Sequence, residues 1–247
     1  MSPRSYWIVS FPKSGRTWLR RILQELGLDL ETTHARSGYG DALHFDQLST
    51  AASSEMDRFL LFLRDPRDTA VSGYHWLRTN VDQSYQGTLS EFIRDPRYGI
   101  EKIARFNLMW SALQHHGMMA LTYERLHAET VASVAKVLSF FDVDASDASI
   151  RRAIANNTFA EMRKRELMKV DKRLAKAGGG SVDPNSLKAR SGKVGSHKAE
   201  FSDEDREYCE CLLESLNYFE NITLSINMCV TARLQPQPPG AGQSESP

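Results

Sequence analysis

Apolar residues along this chain fall into short runs that alternate with stretches of three- and four-residue spacing. The runs are 5–11, Phe59-Leu60-Leu61-Phe62-Leu63 and 118–123. A run apolar on both faces suits a central strand of a parallel sheet, which helices cover from either side. After the first run the spacing turns helical: Thr17 to Leu26 places Trp18, Ile22, Leu23 and Leu26 on one side, and Gly27 closes it. A second helix starts near Asp68, a third covers 100–115, and 124–141 carries Val131, Val134, Val137, Leu138 and Phe141 at helical intervals. Further helix is expected over 146–168 and from Ser202 to Leu216, where Ser202 and Asp205 form an N-terminal capping signal. Residues 31–47 are polar, glycine-containing and without period, so they read as a loop or short helix. Strands alternating with helices predict a three-layer α/β fold with a mainly parallel central sheet flanked by helices.

A length of 247 residues fits one such domain, read as 1–234. The Pro-, Gly-, Gln- and Ser-rich residues 235–247 read as a disordered tail. Charge changes the picture only locally. With 31 basic and 31 acidic residues, no global field favours nucleic acid or an anionic membrane. Between Arg163 and Lys198, however, eleven Lys or Arg (163, 164, 165, 169, 172, 173, 176, 188, 190, 193, 198) face three acids (166, 171, 183). That excess is a candidate anion-binding surface, or a solvated helix face followed by a mobile glycine-rich loop. The three cysteines, at 209, 211 and 229, form no C-x-x-C and meet no histidine cluster, which argues against a disulfide framework or a zinc site. No acid cluster suggests another metal. No segment approaches the 18 apolar residues of a membrane span, and a cytoplasmic location is expected.

Ligands of open α/β sheets lie beyond the carboxyl ends of the strands, and all three strand ends here carry chemistry. The first leads into Pro12-Lys13-Ser14-Gly15-Arg16-Thr17-Trp18. This loop aims backbone N–H groups, a helix N-terminus and an ammonium at one spot, an arrangement suited to a phosphate-like anion. It lacks the G-x-x-x-x-G-K-[ST] spacing of nucleoside-triphosphate loops. The second end gives Arg64-Asp65-Pro66-Arg67-Asp68, with Ser72 eight residues after the arginine. A guanidinium can bind phosphate through two parallel bonds, and a helix-borne serine can add a third. Arg67 is the expected structural partner for Asp68. The third end gives Thr122-Tyr123-Glu124-Arg125-Leu126. Two further stretches are Asn157-Thr158-Phe159-Ala160-Glu161-Met162 and Lys188-Ala189-Arg190-Ser191-Gly192-Lys193-Val194-Gly195-Ser196-His197-Lys198.

Taken in order, these segments resemble the cytosolic-type sulfotransferases, over roughly residues 6–216. That family moves a sulfonate from 3′-phosphoadenosine 5′-phosphosulfate (PAPS) to an acceptor and has a P-loop-like fold. The resemblance implies that Lys13 and the backbone amides of the loop Ser14, Gly15, Arg16 and Thr17 hold the 5′-phosphosulfate, while Trp18 packs near the adenine. Arg64 and Ser72 correspond to the 3′-phosphate segment, and Tyr123, Thr158 and Phe159 to the positions that lie against the nucleotide. Arg190, Ser191 and Gly192 correspond to the loop that closes over the 3′-phosphate. Arg16 stands where family members commonly have threonine, and Ser191 and His197 replace a lysine and a tryptophan of the closing loop.

Transfer to a hydroxyl or amine needs a proton acceptor and charge neutralisation on the leaving oxygen. Lys13 suits the second task. A histidine suits the first, and the family carries one between the first helix and the Arg64-type strand. His34, in Thr33-His34, is the first choice and His44 the second. Direct in-line transfer from PAPS to a small-molecule or glycan acceptor is therefore expected, with no metal. The alternatives are a catalytically silent PAP- or PAPS-binding partner protein and a P-loop kinase-like phosphotransferase. The aromatics Tyr74, Trp76, Tyr85, Tyr98, Phe106 and Trp110 are candidates to line the acceptor pocket, and His75 could join them. Acceptor identity and oligomeric state stay open.

Overall fold

The computed structural model describes residues 6–35, 37–41, 43, 58–79, 85–113, 117–176 and 192–231, with backbone alone for 171–176 and 227–231. Four parallel strands make the sheet: β1 (Tyr6–Val9), β2 (Glu31–Thr33), β3 (Arg58–Leu63) and β4 (Met118–Thr122), in the order β2-β1-β3-β4. Val9 pairs with both Thr33 and Leu61, and Leu63 pairs with Thr122.

The three expected strands are present: β1 and β4 are shorter than their apolar runs, and β3 begins one residue earlier, at Arg58. β2 is a correction, since 31–47 reads as a loop or short helix. Three residues of sequence Glu-Thr-Thr at a sheet edge, with Glu31 exposed, leave no hydrophobic signature. Their partner β1 supplies the pairing. The stretch 124–141 is likewise two helices, α5 (Tyr123–Ala128) and α6 (Thr130–Phe140), separated at Glu129 by a non-helical φ of −128° and ψ of 53°. The remaining helices are α1 (Arg16–Glu25), α2 (Pro66–Thr79), α3 (Leu89–Arg94), α4 (Ile100–Ser111), α7 (Asp147–Asn156), α8 (Phe159–Lys176), α9 (Asp203–Ser215) and α10 (Tyr218–Thr231). A short 3-10 turn covers Ser196–Ala199. The expected capping box at Ser202 and Asp205 is formed. The expected tail, 235–247, lies outside the described residues.

Alternation along each strand divides the core in two, because successive side chains leave opposite faces. Ile8, Leu60, Phe62, Met119 and Leu121 face the layer of α1, α5, α6 and α7. Val9, Phe59, Leu61, Leu63, Met118 and Ala120 face the layer built on α2, α4, α9 and α10. With both faces covered, β3 is almost wholly buried from Phe59 to Leu63. Removing one large ring from such a site, Phe62 for example, costs about 3–5 kcal/mol. The sheet therefore holds its four carboxyl ends rigidly along one edge. Among the described residues, no helix is long and apolar enough to cross a membrane.

Candidate functional site

Each strand end delivers one side chain to that edge. After β1 the chain turns through residues 10–15, where the Ser14 hydroxyl donates to the Phe11 carbonyl (2.9 Å). Lys13 and Gly15 adopt positive φ values of 69° and 90°. Gly15 is the N-cap of α1 and, having no side chain, makes no side-chain cap bond to the N–H groups of the first turn. A glycine is required here on two counts. Its φ is left-handed, and a Cβ would stand 2.6 Å from Cδ2 of Tyr123.

Arg64 follows β3 and is 7 % exposed. Its guanidinium lies 4.5 Å from the Tyr123 ring centre. One Nη donates to the Lys13 carbonyl (3.3 Å) and the other to the Lys193 carbonyl (3.1 Å). Its Nε is buried without a hydrogen-bond partner, and so is Nε1 of Trp18. Arg67 pairs with Asp65 (2.7 Å), which corrects the expectation that it partners Asp68.

Tyr123 opens α5 beyond β4, where the Thr122 hydroxyl accepts from the Arg125 N–H (3.1 Å). The Tyr123 hydroxyl donates to the Gly192 carbonyl (2.8 Å). Trp18 meets Tyr123 and His127 edge to face, at 5.9 and 6.3 Å between ring centres. Gly192 also touches Phe159, since a Cβ on it would lie 2.5 Å from that ring. The segment after Gly192 is fastened to the buried carboxylate of Asp68. That carboxylate accepts from the Gly195 N–H (2.7 Å), the Ser196 hydroxyl (3.1 Å), the His197 N–H (3.1 Å) and His197 Nδ1 (2.8 Å). Burial alone would raise the Asp68 pKa. The bonds from His197, the Arg64 charge 3.7 Å away and the Gly195 N–H outweigh it and hold the carboxyl well below its ordinary range.

His34 follows β2. Its Nδ1 donates to the Ser10 carbonyl (2.6 Å), which fixes the neutral tautomer and leaves Nε2 as the acceptor. Nε2 accepts from Arg16 (3.0 Å), whose other Nη donates to the Thr33 carbonyl (3.1 Å). Burial, then the Arg16 charge, push the His34 pKa down to about 4, against a small upward pull from Ser10.

These groups surround one cavity of about 450 Å³. Lys13, Gly15, Arg16, Thr17, Trp18, His34, Arg64, Ser72, Tyr123, Thr158, Phe159 and Gly192 all line it, so most of the sequence-predicted site residues come together. Ser14 does not: it is 1 % exposed and spends its hydroxyl on the loop. Arg190, Ser191 and the alternative base His44 lie outside the described residues. His127, Thr130 and Ile154 also line the cavity, although the motifs do not mark them. For His127 a signal exists: it stands four residues after Tyr123, on the same helix face.

The aromatic candidates for the acceptor pocket divide differently. Only Trp76 lines the cavity, with Lys13 Nζ 5.6 Å from its ring centre. Phe106 and Trp110 are fully buried, and Tyr74, Tyr85 and Tyr98 pack around Phe92 at 4.9–5.7 Å. Phe106, Trp110 and Tyr74 belong to the core, and Tyr85 and Tyr98 pack half-buried against it. His75 meets Glu200 at 2.5 Å instead of lining the cavity.

Beyond the ends of a parallel sheet, the N-terminus of α1 and a buried arginine with one unpartnered nitrogen thus face one cavity, defining an α/β protein whose cavity wall presents two cationic groups. The chain belongs to the sulfotransferase family: its residues 41–217 match the sulfotransferase domain. That stretch includes Arg64, Ser72 and Tyr123 but begins after the Lys13 loop. Sulfotransferase 6B1 of Homo sapiens is 24% identical over 238 residues, covering 83% of this chain and 75% of its own length. Sulfotransferase 4A1 of Mus musculus is 24% identical over 186 residues, covering 62% and 64%. Among solved structures, mouse sulfotransferase SULT7A1 complexed with PAP aligns with a TM-score of 0.66 at 18% identity, over 92% of this chain and 89% of that one. Retinol dehydratase in complex with androsterone and inactive cofactor PAP aligns at 0.63 and 17% identity, over 87% and 81%.

Proposed function

We propose that this chain transfers a sulfonate from PAPS to a hydroxyl or amine of an acceptor, with His34 as the general base. The observation that carries the reading is that two cationic groups share the wall of one cavity. The α1 N-terminus with Lys13 forms the first; Arg64, with its unpartnered Nε and with Ser72 lining the same cavity, forms the second. A donor phosphorylated at both 3′ and 5′ positions needs both, whereas ADP or ATP needs one. The buried Trp18 Nε1 and the Gly15–Tyr123 contact suit a flat base laid against the same wall. The PAP held by two structural relatives supports the same donor.

When bound, PAPS supplies an activated sulfonate on a good leaving group. Lys13 neutralises charge on the departing oxygen. Trp76 bounds the acceptor side, and His34 takes the acceptor proton at Nε2, the nitrogen its Ser10 bond leaves as acceptor. Turnover is favoured over silent binding because His34 lines the same cavity as Lys13. No described group of three or more His, Cys, Asp or Glu could hold a metal ion, and the mechanism invokes none.

Calorimetric titration with 3′-phosphoadenosine 5′-phosphate (PAP), ADP and ATP tests the donor. PAP should bind far more tightly than either, and Arg64→Ala should lose about 10- to 150-fold, the equivalent of one charged hydrogen bond worth about 1.5–3 kcal/mol. Preference for ATP, or equal PAP binding by Arg64→Ala, would overturn the assignment.

A further inference from the structure

Arg16 is a half-buried cation in the cavity wall, held by two neutral acceptors, the Thr33 carbonyl and His34 Nε2. None of the ion pairs among the described residues includes it. A desolvated guanidinium without a carboxylate is a poor resting arrangement, since burying a charge is costly unless an opposite charge compensates. Arg16 is also the first residue of α1, directly after Gly15, so its side chain springs from the helix end that the proposed function assigns to the 5′ side of the donor. An anion seated there offers what the carbonyl and imidazole do not: a full counter-charge in bidentate geometry.

We propose that Arg16 is a donor-released latch on His34: in the empty site its guanidinium occupies Nε2, and a seated donor draws it onto the 5′-phosphate oxygens, freeing the lone pair. The latch rests on the donor reading given above. It makes Arg16 a positioning residue whose effect on proton transfer passes through His34. With the latch closed, Nε2 has no lone pair to offer, so an acceptor hydroxyl arriving first keeps its proton. With it open, the acceptor O–H proton moves to Nε2 as the new O–S bond forms and the bridging S–O bond breaks, leaving PAP. Base activity is thereby confined to the donor-loaded enzyme.

Among the described residues, few groups face His34. Arg16 approaches from α1 and the Ser10 carbonyl from the end of β1, while Thr33 precedes it on β2. Arg20, one turn along α1, acts on Arg16. Lys13 lines the same cavity.

The test is nuclear magnetic resonance of the full chain labelled with ¹⁵N-histidine, with His34 assigned through His34→Gln. Wild type and Arg16→Thr are titrated with acid, empty and with PAP, and calorimetry on the same samples reports nucleotide binding. In empty wild type, His34 should hold the Nδ1–H tautomer and resist protonation down to about pH 5, against an ordinary value near 6.5. PAP should shift its Nε2 resonance and raise its midpoint by at least one pH unit. Empty Arg16→Thr should already show the raised midpoint, and PAP should move it little further. If PAP binds wild type but leaves His34 unchanged, or moves it equally in Arg16→Thr, the latch is wrong while the donor reading stands. A His34 midpoint that is the same in both empty proteins also overturns it. If PAP binds neither protein, the latch falls together with the donor reading.

Discussion

Asp68→Asn probes the joint between the sheet edge and the segment that closes the cavity. The carboxylate has no exposed surface, and its two oxygens divide four hydrogen bonds unevenly. Oδ1 accepts from the Ser196 hydroxyl and from both nitrogen donors of His197, while Oδ2 accepts from the Gly195 N–H at 2.7 Å. An asparagine that keeps its oxygen toward His197 turns an NH₂ against the Gly195 N–H. One charged hydrogen bond is lost, about 1.5–3 kcal/mol, and the three that remain are weakened by the loss of charge. Together these give a destabilisation of about 3 kcal/mol, or roughly 10 °C in Tm for a domain of this size. The pH dependence is equally specific. The folded-state pKa of Asp68 is depressed, so its stabilisation is complete above the unfolded value of about 3.9 and is lost as pH falls through that value toward the folded one. Urea unfolding of both proteins should therefore show a constant gap from pH 7 to 5 that narrows toward pH 3. A gap below about 0.5 kcal/mol at pH 7, or one unchanged at pH 3, would refute the reasoning. PAP affinity should fall alongside stability, because the same segment positions the Lys193 carbonyl on Arg64 and the Gly192 carbonyl on Tyr123.

Two further substitutions separate binding from chemistry. Lys13→Ala should lower the single-turnover rate by about 100-fold or more, as expected when a group stabilising transition-state charge is removed, with PAP affinity changed far less; equal losses in both would make Lys13 a binding residue only. Gly15→Ala should abolish PAP binding by calorimetry and lower Tm, because the new Cβ at φ 90° would stand 2.6 Å from the Tyr123 ring; normal binding would show that the loop can relax.

What could be read from the sequence follows from where the physical signal is local. The buried runs at Phe59–Leu63 and Met118–Tyr123 are apolar on both faces, so their strand character is visible without any partner. β2 is not visible, because Glu31–Thr33 becomes a strand only through its pairing with β1. That the Lys13 loop and Arg64 share one cavity could be anticipated because phosphate recognition would constrain residue type and spacing within one segment. The acceptor side could not. An aromatic stripe at helical spacing serves equally as core or as pocket lining, and only packing sends Trp110 into the core and Trp76 to the cavity. The contact between Arg16 and His34 joins residues 18 apart, and a single sequence offers no rule for it.

The choice among neighbouring arginines shows how the structure completes an ambiguous motif. Arg64 and Arg67 are both near the end of β3, and spacing alone lets either meet an anion. Arg67 is engaged by Asp65 through Nε at 3.0 Å and Nη2 at 2.7 Å, so a phosphate would have to displace a bidentate carboxylate of equal charge-bearing geometry. Arg64 and Arg16 are held chiefly by carbonyls and, for Arg16, an imidazole. Asp68 stands 3.7 Å from Arg64, but its oxygens are already committed to four shorter bonds. A guanidinium on neutral acceptors exchanges a weak partner for a strong one when an anion arrives, whereas one on a carboxylate gains little. Under the proposed function, the choice of ligand-binding arginine is thus decided by which carboxylates the fold has already occupied, and Asp68 leaves Arg64 available by serving the segment after Gly192 instead.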